Sequence, residues 1–391
     1  AGGDISLVAI KGNTVEDVTL NAAAGNVTVG EIGAAAAEIN AVAITGATIN
    51  LGGNINTSGA GNNVGLTGAV VLAGAVTIDT DANNGTVTLS STLDGAQDFD
   101  ISSGAGAVAI QGAIGATTAL ASLDINNAAG SGTIEVANIG AVGVGVTNAT
   151  RIGNAATTQL TLDGTVYRTT GAQTYTAVAG NTIDLTSGAA TSFITTNTDI
   201  NFTTGTIELS DGNDLTVDSQ GAGAGAVNIA GIKGDSLEDV TLDAGADALA
   251  VGQIGAVASE INDVTLTGGT ITLSGNISTD NIGADTGDVG LTGAVSLGAA
   301  VIIDTSAGNG TVTLSSTLDG GFDFDISSGT GAVAIQGVTG GGAALASLDI
   351  NNAAGSGTIE VANIGAGAAG VTNATRIGNA TTTQLTLDGT V

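Results

Sequence analysis

The chain has 391 residues, with Lys+Arg 5 against Asp+Glu 36, a formal net charge of −31, and no Pro, Cys, Met, Trp or His. Without Cys or His there is no disulfide framework, zinc site or c-type haem attachment, and no thiol or imidazole for catalysis. Five cations cannot build a phosphate-binding patch, and the carboxylate excess repels nucleic acid.

The composition is nonetheless that of a folding chain. Hydrophobic residues make up 42%, charged residues 10% and aromatic residues 2%. Disordered acidic chains are poor in β-branched residues, whereas this one is rich in Val, Ile and Thr. A core of small aliphatic side chains suits thin layers of β-structure. The longest apolar stretch, Gly68 to Ile78, falls short of the ~18 residues a membrane helix needs. Ala1 opens no signal-peptide pattern, and with Met absent the expectation is an internal or processed piece of a longer product.

Read from the N-terminus, the chain repeats itself. The segment IKGNTVEDVTL from Ile10 returns as IKGDSLEDVTL from Ile232, an offset of 222. The segment SLDINNAAGSGTIEVANIGA from Ser122 returns unchanged from Ser347, an offset of 225. The difference is a three-residue insertion near Thr279–Asp288, just before the second VGLTGAV. The first long repeat therefore spans residues 1–222 and a second, incomplete one spans 223–391. Residues 167–222 occur once only, and neither end has the character of a capping repeat.

Inside each repeat, short runs alternate polar and apolar residues, the pattern of half-buried strands. In chain order these are Thr86–Leu89, Asp98–Ile101, Ala107–Ile110, Ser122–Ile125, Thr133–Val136 and Gln159–Asp163. Val87/Leu89, Phe99/Ile101, Val108/Ile110, Leu123/Ile125, Ile134/Val136 and Leu160/Leu162 point inward; the intervening Thr, Asp, Ser and Glu point to solvent. Turn residues such as Asn84-Gly85, Asp94-Gly95, Gly104 and Asn126-Asn127 separate the runs. No stretch carries a capped 3.6-residue period. The pattern predicts an all-β, right-handed parallel β-solenoid with essentially no α-helix, forming one continuous rod. At about 19 to 25 residues per coil it would have on the order of 16 to 20 coils. The absent Pro agrees, because each Pro would delete a ladder hydrogen bond. A β-sandwich array is the competing fold; it would need hairpins and a thicker core with more aromatics.

Two stretches carry a family resemblance: TLSSTLDGAQDFDISSGAGAVAIQGAIGATTALASLDI (Thr88–Ile125) and LDGTVYRTTGAQTY (Leu162–Tyr175). Both resemble the repeats of filamentous haemagglutinin-like, or β-strand-repeat, bacterial surface exoproteins, best over residues 86–188 and 311–391. The resemblance implies a secreted, very long, right-handed β-helical rod at the cell surface that serves adhesion, biofilm or fibre formation. It carries over no catalytic or binding residue, because the shared motifs are turn and core positions.

Candidate chemistry rests on carboxylates. The pairs Asp98/Asp100, Asp323/Asp325, Glu16/Asp17 and Glu238/Asp239 would suit a carbohydrate-active β-helix, which needs two carboxylates about 5–9.5 Å apart in a cleft. A lyase would add a cation, yet Lys11, Lys233, Arg151, Arg168 and Arg376 are scattered. Solvated acidic decoration is the competing reading. Phe99 and Phe324 fall at inward positions, unsuited to a carbohydrate platform. Asp79–Gly85 opens like a calcium loop but lacks the closing Glu. Lys11 and Lys233 each precede an acidic pair, which suggests local ion pairs at turns. The Gly221–Ala226 run has no nucleotide fingerprint, and the Asn-x-Ser/Thr sites at Asn26, Asn148, Asn276 and Asn373 are weak signals.

The expectation is a non-enzymatic, extracellular structural rod without catalytic, cofactor or metal residues. Loose Ca²⁺ binding is the one ionic association the charge invites. End-to-end self-association, or continuity with further repeats, would build a filament. Divalent cations would bundle it laterally, and neither nucleic acid nor membrane insertion is expected. An adhesin binding glycans or biofilm surfaces is the alternative, and a carbohydrate-active enzyme the second alternative.

Overall fold

The computed structural model describes residues 2–13, 15–59, 61–209, 212–219, 225–235, 238–280, 287–365 and 370–389. It is a parallel β-solenoid of about 15 turns. Among the described residues there are 37 strands and one short 3-10 turn, Asp81–Asn83. The chain divides into two compact units, Ala1–Ser187 with Phe193–Gly205, and Gly188–Ser192 with Thr206–Val391. The division falls within the segment that occurs once only.

In the first unit the core includes three long columns of in-register side chains. One runs Val18, Val42, Val64, Val87, Val108, Ile134, Leu160, Ile183. A second runs Val27, Ile49, Val70, Leu93, Ile114, Ile139, Tyr167. The third runs Ile32, Ile55, Ile78, Ile101, Ile125, Ile152, Tyr175, Phe202. The second unit repeats the scheme, with Ile232, Ile254, Ile277, Ile303, Ile326, Ile350 and Ile377 as its third column. β-Branched side chains suit this arrangement because their restricted χ1 packs well on a pleated surface. All the inward positions named from the alternating runs are buried, with 3% exposure at most. Each such side chain contributes roughly 1.5–3 kcal/mol of transfer free energy, opposed by the entropy of ordering the coil.

The coils are longer and fewer than the alternation predicts. Register partners lie from 18 residues apart (Ile39 to Thr57) to 28 (Ile139 to Tyr167), with steps such as 21 (Val87 to Val108) and 27 (Leu123 to Thr150) between. The longer coils carry irregular stretches such as residues 112–121, which join the ladder through the isolated bridges at Ile114 and Leu120 and leave no alternating trace.

One corner is closed by a buried hydroxyl. Thr57 Oγ1 donates to the Asn62 carbonyl (2.8 Å), Thr80 Oγ1 to Gly85 (2.7 Å), Ser103 Oγ to Gly106 (2.8 Å), Thr305 Oγ1 to Gly310 (2.7 Å) and Ser328 Oγ to Gly331 (2.8 Å). The clasp ties the two ends of the corner loop and satisfies a carbonyl that the ladder misses. Loop length is therefore free to vary. Thr279 makes the same bond to Gly287 (2.6 Å). Thr279 and Gly287 correspond to Thr57 and Asn62, so the three-residue insertion sits inside the clasped loop; its residues 281–286 lie outside the described set. The ladder after it resumes in register, Val264 to Val289 to Val312.

Candidate functional site

The carboxylates are placed by the same coil geometry. Asp98 and Asp100 share the outer face of the strand Asp98–Ser102, and Asp323 and Asp325 that of Asp323–Ser327. Asp98 and Asp323 are exposed and accept hydrogen bonds from Ser122 Oγ and Ser347 Oγ one coil on, each 2.5 Å. The half-buried partners join a different set. Asp100 is in register with Asp124, and Asp124 with Arg151. Asp325, Asp349 and Arg376 form the same column in the second copy. Arg151 lies 3.2 Å from Asp124, and Arg376 lies 3.5 Å from Asp349. Burial, followed by the neighbouring Asp124 and Asp98 charges, pushes the Asp100 carboxyl above its ordinary range, and Arg151 opposes the shift. Asp325 is raised by burial and by Asp349 and Asp323, opposed by Arg376.

A shallow groove lies beside each column. The first, of about 350 Å³, is lined by Asp81, Asp100, Asp124, Asn126 and Asn127 among others; the second, of about 220 Å³, by Asp325, Asp349, Asn351 and Asn352 among others. Among the described residues, no group of three or more His, Cys, Asp or Glu is arranged to hold a metal ion.

The remaining carboxylate pairs accept backbone and side-chain N–H groups. Glu16 accepts the Asn13 N–H (2.8 Å), and Asp17 accepts Asn40 Nδ2 (2.6 Å). Glu238 is buried and accepts the N–H groups of Asp235 (2.9 Å) and Gly212 (3.2 Å). Burial raises its carboxyl above the usual range, and these backbone bonds work against that. Asp239 belongs to a stair of acceptors, begun by Asp214 on the Asp239 N–H (3.0 Å), in which each carboxylate binds the N–H of the residue one coil on. Asp239 takes Asp263 (3.2 Å), Asp263 takes Asp288 (2.6 Å) and Asp288 takes Thr311 (2.7 Å). Such charge-assisted bonds cap strand starts at the coil corner. In the first copy the positions of Asp263 and Asp288 hold Ala41 and Asn63.

The ion pairs correct the expectation of local bridges at turns. Lys233 pairs with Glu208 at 3.2 Å, its register partner on the preceding coil, rather than with Glu238 or Asp239. Arg151 and Arg376 likewise pair across coils. Among the described residues, Lys11 and Arg168 form no ion pair. The Asp79–Gly85 segment is a clasped corner: Asn84 adopts a left-handed backbone (φ 58°), and its Oδ1 accepts the Ala105 N–H (2.7 Å). Most of the Gly221–Ala226 run lies outside the described residues, and Asn26, Asn148, Asn276 and Asn373 are exposed.

Sequence reasoning missed a buried aromatic cluster in the once-only segment. Tyr167 stacks on Phe193 (centroids 4.7 Å) and Tyr175 on Phe202 (4.8 Å), and Phe193 meets Tyr175 (5.3 Å) and Phe202 (5.0 Å) edge-on. Gln173 is buried among them; its Nε2 donates to the carbonyls of Tyr167 (2.9 Å) and Ile194 (3.0 Å), and its Oε1 accepts the Tyr175 hydroxyl (3.1 Å). Burial raises both phenols well above the ordinary tyrosine range, so they are neutral donors. The available signal was the crowding of aromatics at 167–202 in a chain with 2% aromatic residues.

Fold and side-chain placement define the class: this chain is a parallel β-solenoid repeat protein. Comparison with protein-family models, with curated proteins and with solved structures finds no match.

Proposed function

We propose that the chain is structural repeat material of a secreted bacterial surface protein and works as a stiff extracellular filament without catalytic activity. The observation that carries this reading is the use made of the repeated polar residues. The clasp hydroxyls, Asp98 and Asp323, and Asp124–Arg151 with Asp349–Arg376 all bond within the coil stack. The resemblance of residues 86–188 and 311–391 to filamentous haemagglutinin-like exoproteins supports the surface location. Electron microscopy and light scattering of the purified protein across a NaCl and Ca²⁺ series test it. Filaments one solenoid wide that bundle as salt screens the −31 charge are the expected result. Isolated, unassociated particles under every condition would overturn it, as would polysaccharide turnover lost in Asp98→Asn or Asp323→Asn.

A second reading, an adhesive face, is favoured by one observation. Glu31, Ala35 and Thr77 of the first copy become Gln253, Val257 and Ile302 in the second. All three replacements line one groove of about 440 Å³, making it less charged and more apolar.

A further inference from the structure

The Asp–Asp–Arg columns have an unbalanced charge pattern. Each places two carboxylates in direct register on neighbouring coils and one guanidinium on the coil after them. Neighbouring strands stand about 4.8 Å apart, so the two carboxylates face each other at close range. The guanidinium bonds the nearer one, Asp124 or Asp349, and leaves Asp100 or Asp325 facing a like charge. The surroundings add no compensating cation. Asp100 has Asp98 on its own strand, Asp124 on the next coil, Thr77 in register on the preceding one, and Asp79 and Asp81 at that coil's corner. Asp325 has Asp323 on its own strand, Asp349 on the next coil, and Ile302 and Asp304 on the preceding one.

We propose that each Asp–Asp–Arg column is a proton-operated clamp: one proton taken up by the leading aspartate, Asp100 or Asp325, removes the like-charge contact between coils and tightens the stack on acidification. Arg151 and Arg376 pair with the second carboxylate, so neutralising the leading one is enough to remove the like-charge contact. The sign follows from linkage. Both leading aspartates are raised above the ordinary carboxylate value by burial and then by like charge. A group raised in the folded state gives stability that is fully present below its unfolded pKa, about 3.9 for Asp, and lost as pH rises through the folded value. These columns therefore favour the fold more at mildly acidic pH than at neutral pH. The clamp is independent of what the solenoid does and rests on register and charge alone.

Thermal unfolding of the full chain and of an Asp100→Asn/Asp325→Asn variant, from pH 7 down to pH 3, tests it. Asn keeps the shape and removes the charge. At pH 7 the variant should melt higher, by roughly 2–4 °C. That difference should shrink towards zero as the pH falls, because the native aspartates then carry their own proton. A second variant, Asp98→Asn/Asp323→Asn, removes carboxylates that already accept a hydroxyl and should show a smaller difference at pH 7. Melting temperatures of the Asp100→Asn/Asp325→Asn variant and the native chain that stay parallel over the whole range would overturn the clamp, as would a variant that melts lower at pH 7.

Discussion

The duplicated coils and the once-only coils solve the same packing problem with different side chains. In the duplicated coils the columns are built mainly of aliphatic residues, one per coil, as in the run Ile32, Ile55, Ile78, Ile101, Ile125 and Ile152. In the once-only coils that column continues as Tyr175 and Phe202, and rings from two columns meet in the centre. Phe99 shows the difference within one residue type. It sits in register between Val76 and Leu123, and among the described residues no ring packs on it. Phe193 touches the rings of Tyr167, Tyr175 and Phe202. Aliphatic columns stack coil upon coil and can be copied without adjustment. The aromatic set is interlocked, and a copy of one coil would have no partner for its rings.

The largest expected effect tests that interlocking. Phe193→Ala should cost about 3–5 kcal/mol by opening a cavity at the centre of the cluster. The sharper measurement sets Phe193→Leu against Phe99→Leu in denaturant unfolding. Each ring contact is worth about 0.5–1.5 kcal/mol beyond area, so with three such contacts the Phe193 variant should lose about 1.5–4.5 kcal/mol more. Tyr167 and Tyr175 are the only tyrosines in the chain and both lie in the cluster, so tyrosine emission follows this region while far-ultraviolet dichroism follows all strands. Equal losses for the two leucine variants would break the comparison.

A smaller effect probes an irregularity within the duplicated coils themselves. Ile114 in one copy is Thr339 in the other, and both are fully buried. Thr339 stands in the column between Leu318 and Ile364, and its Oγ1 has no hydrogen-bond partner. An unsatisfied buried hydroxyl costs about 1–3 kcal/mol. Thr339→Ile, which installs the residue that the first copy already holds, should stabilise the second unit by about 1–2 kcal/mol. A neutral or destabilising result by calorimetry would mean that the two coils are not packed alike.

The contrast also explains what the sequence could reveal. The inward residues of the alternating runs were legible because each strand carries its own polar–apolar rhythm, Val87/Leu89 or Ile134/Val136. The clasp was hidden because Thr80 and Gly85 look like any turn; only their position at a coil corner makes the hydroxyl bond useful. The columns were hidden for a stronger reason. Asp124 and Arg151 are 27 residues apart, whereas the Val87-to-Val108 step is 21, and no local pattern gives that spacing. The pairing of Lys233 with the adjacent acids failed for the same cause. In a strand stack the nearest charge is one coil away, and chain neighbours at the corner are committed to backbone N–H groups, as Glu238 is to Asp235 and Gly212.

The smallest effect concerns the cross-coil ion pairs, which both copies keep. Arg151 is 47% and Asp124 29% exposed, and Arg376 is 56% exposed against 25% for Asp349. Exposure on this scale screens the attraction, and pairs of this kind contribute about 0–1 kcal/mol. Arg151→Gln should therefore change stability by less than about 1 kcal/mol at physiological salt, and Arg376→Gln by no more. Removing the cation also leaves two in-register carboxylates without a counter-charge, so the loss should grow as salt is lowered and the Debye length lengthens. The measurement is a denaturant midpoint for each variant at low and high NaCl. A salt-independent loss would mean that the arginine acts by packing its alkyl stem along the coil face. A loss of several kcal/mol would mean that the outer columns, and not the aliphatic core, decide whether these coils stack.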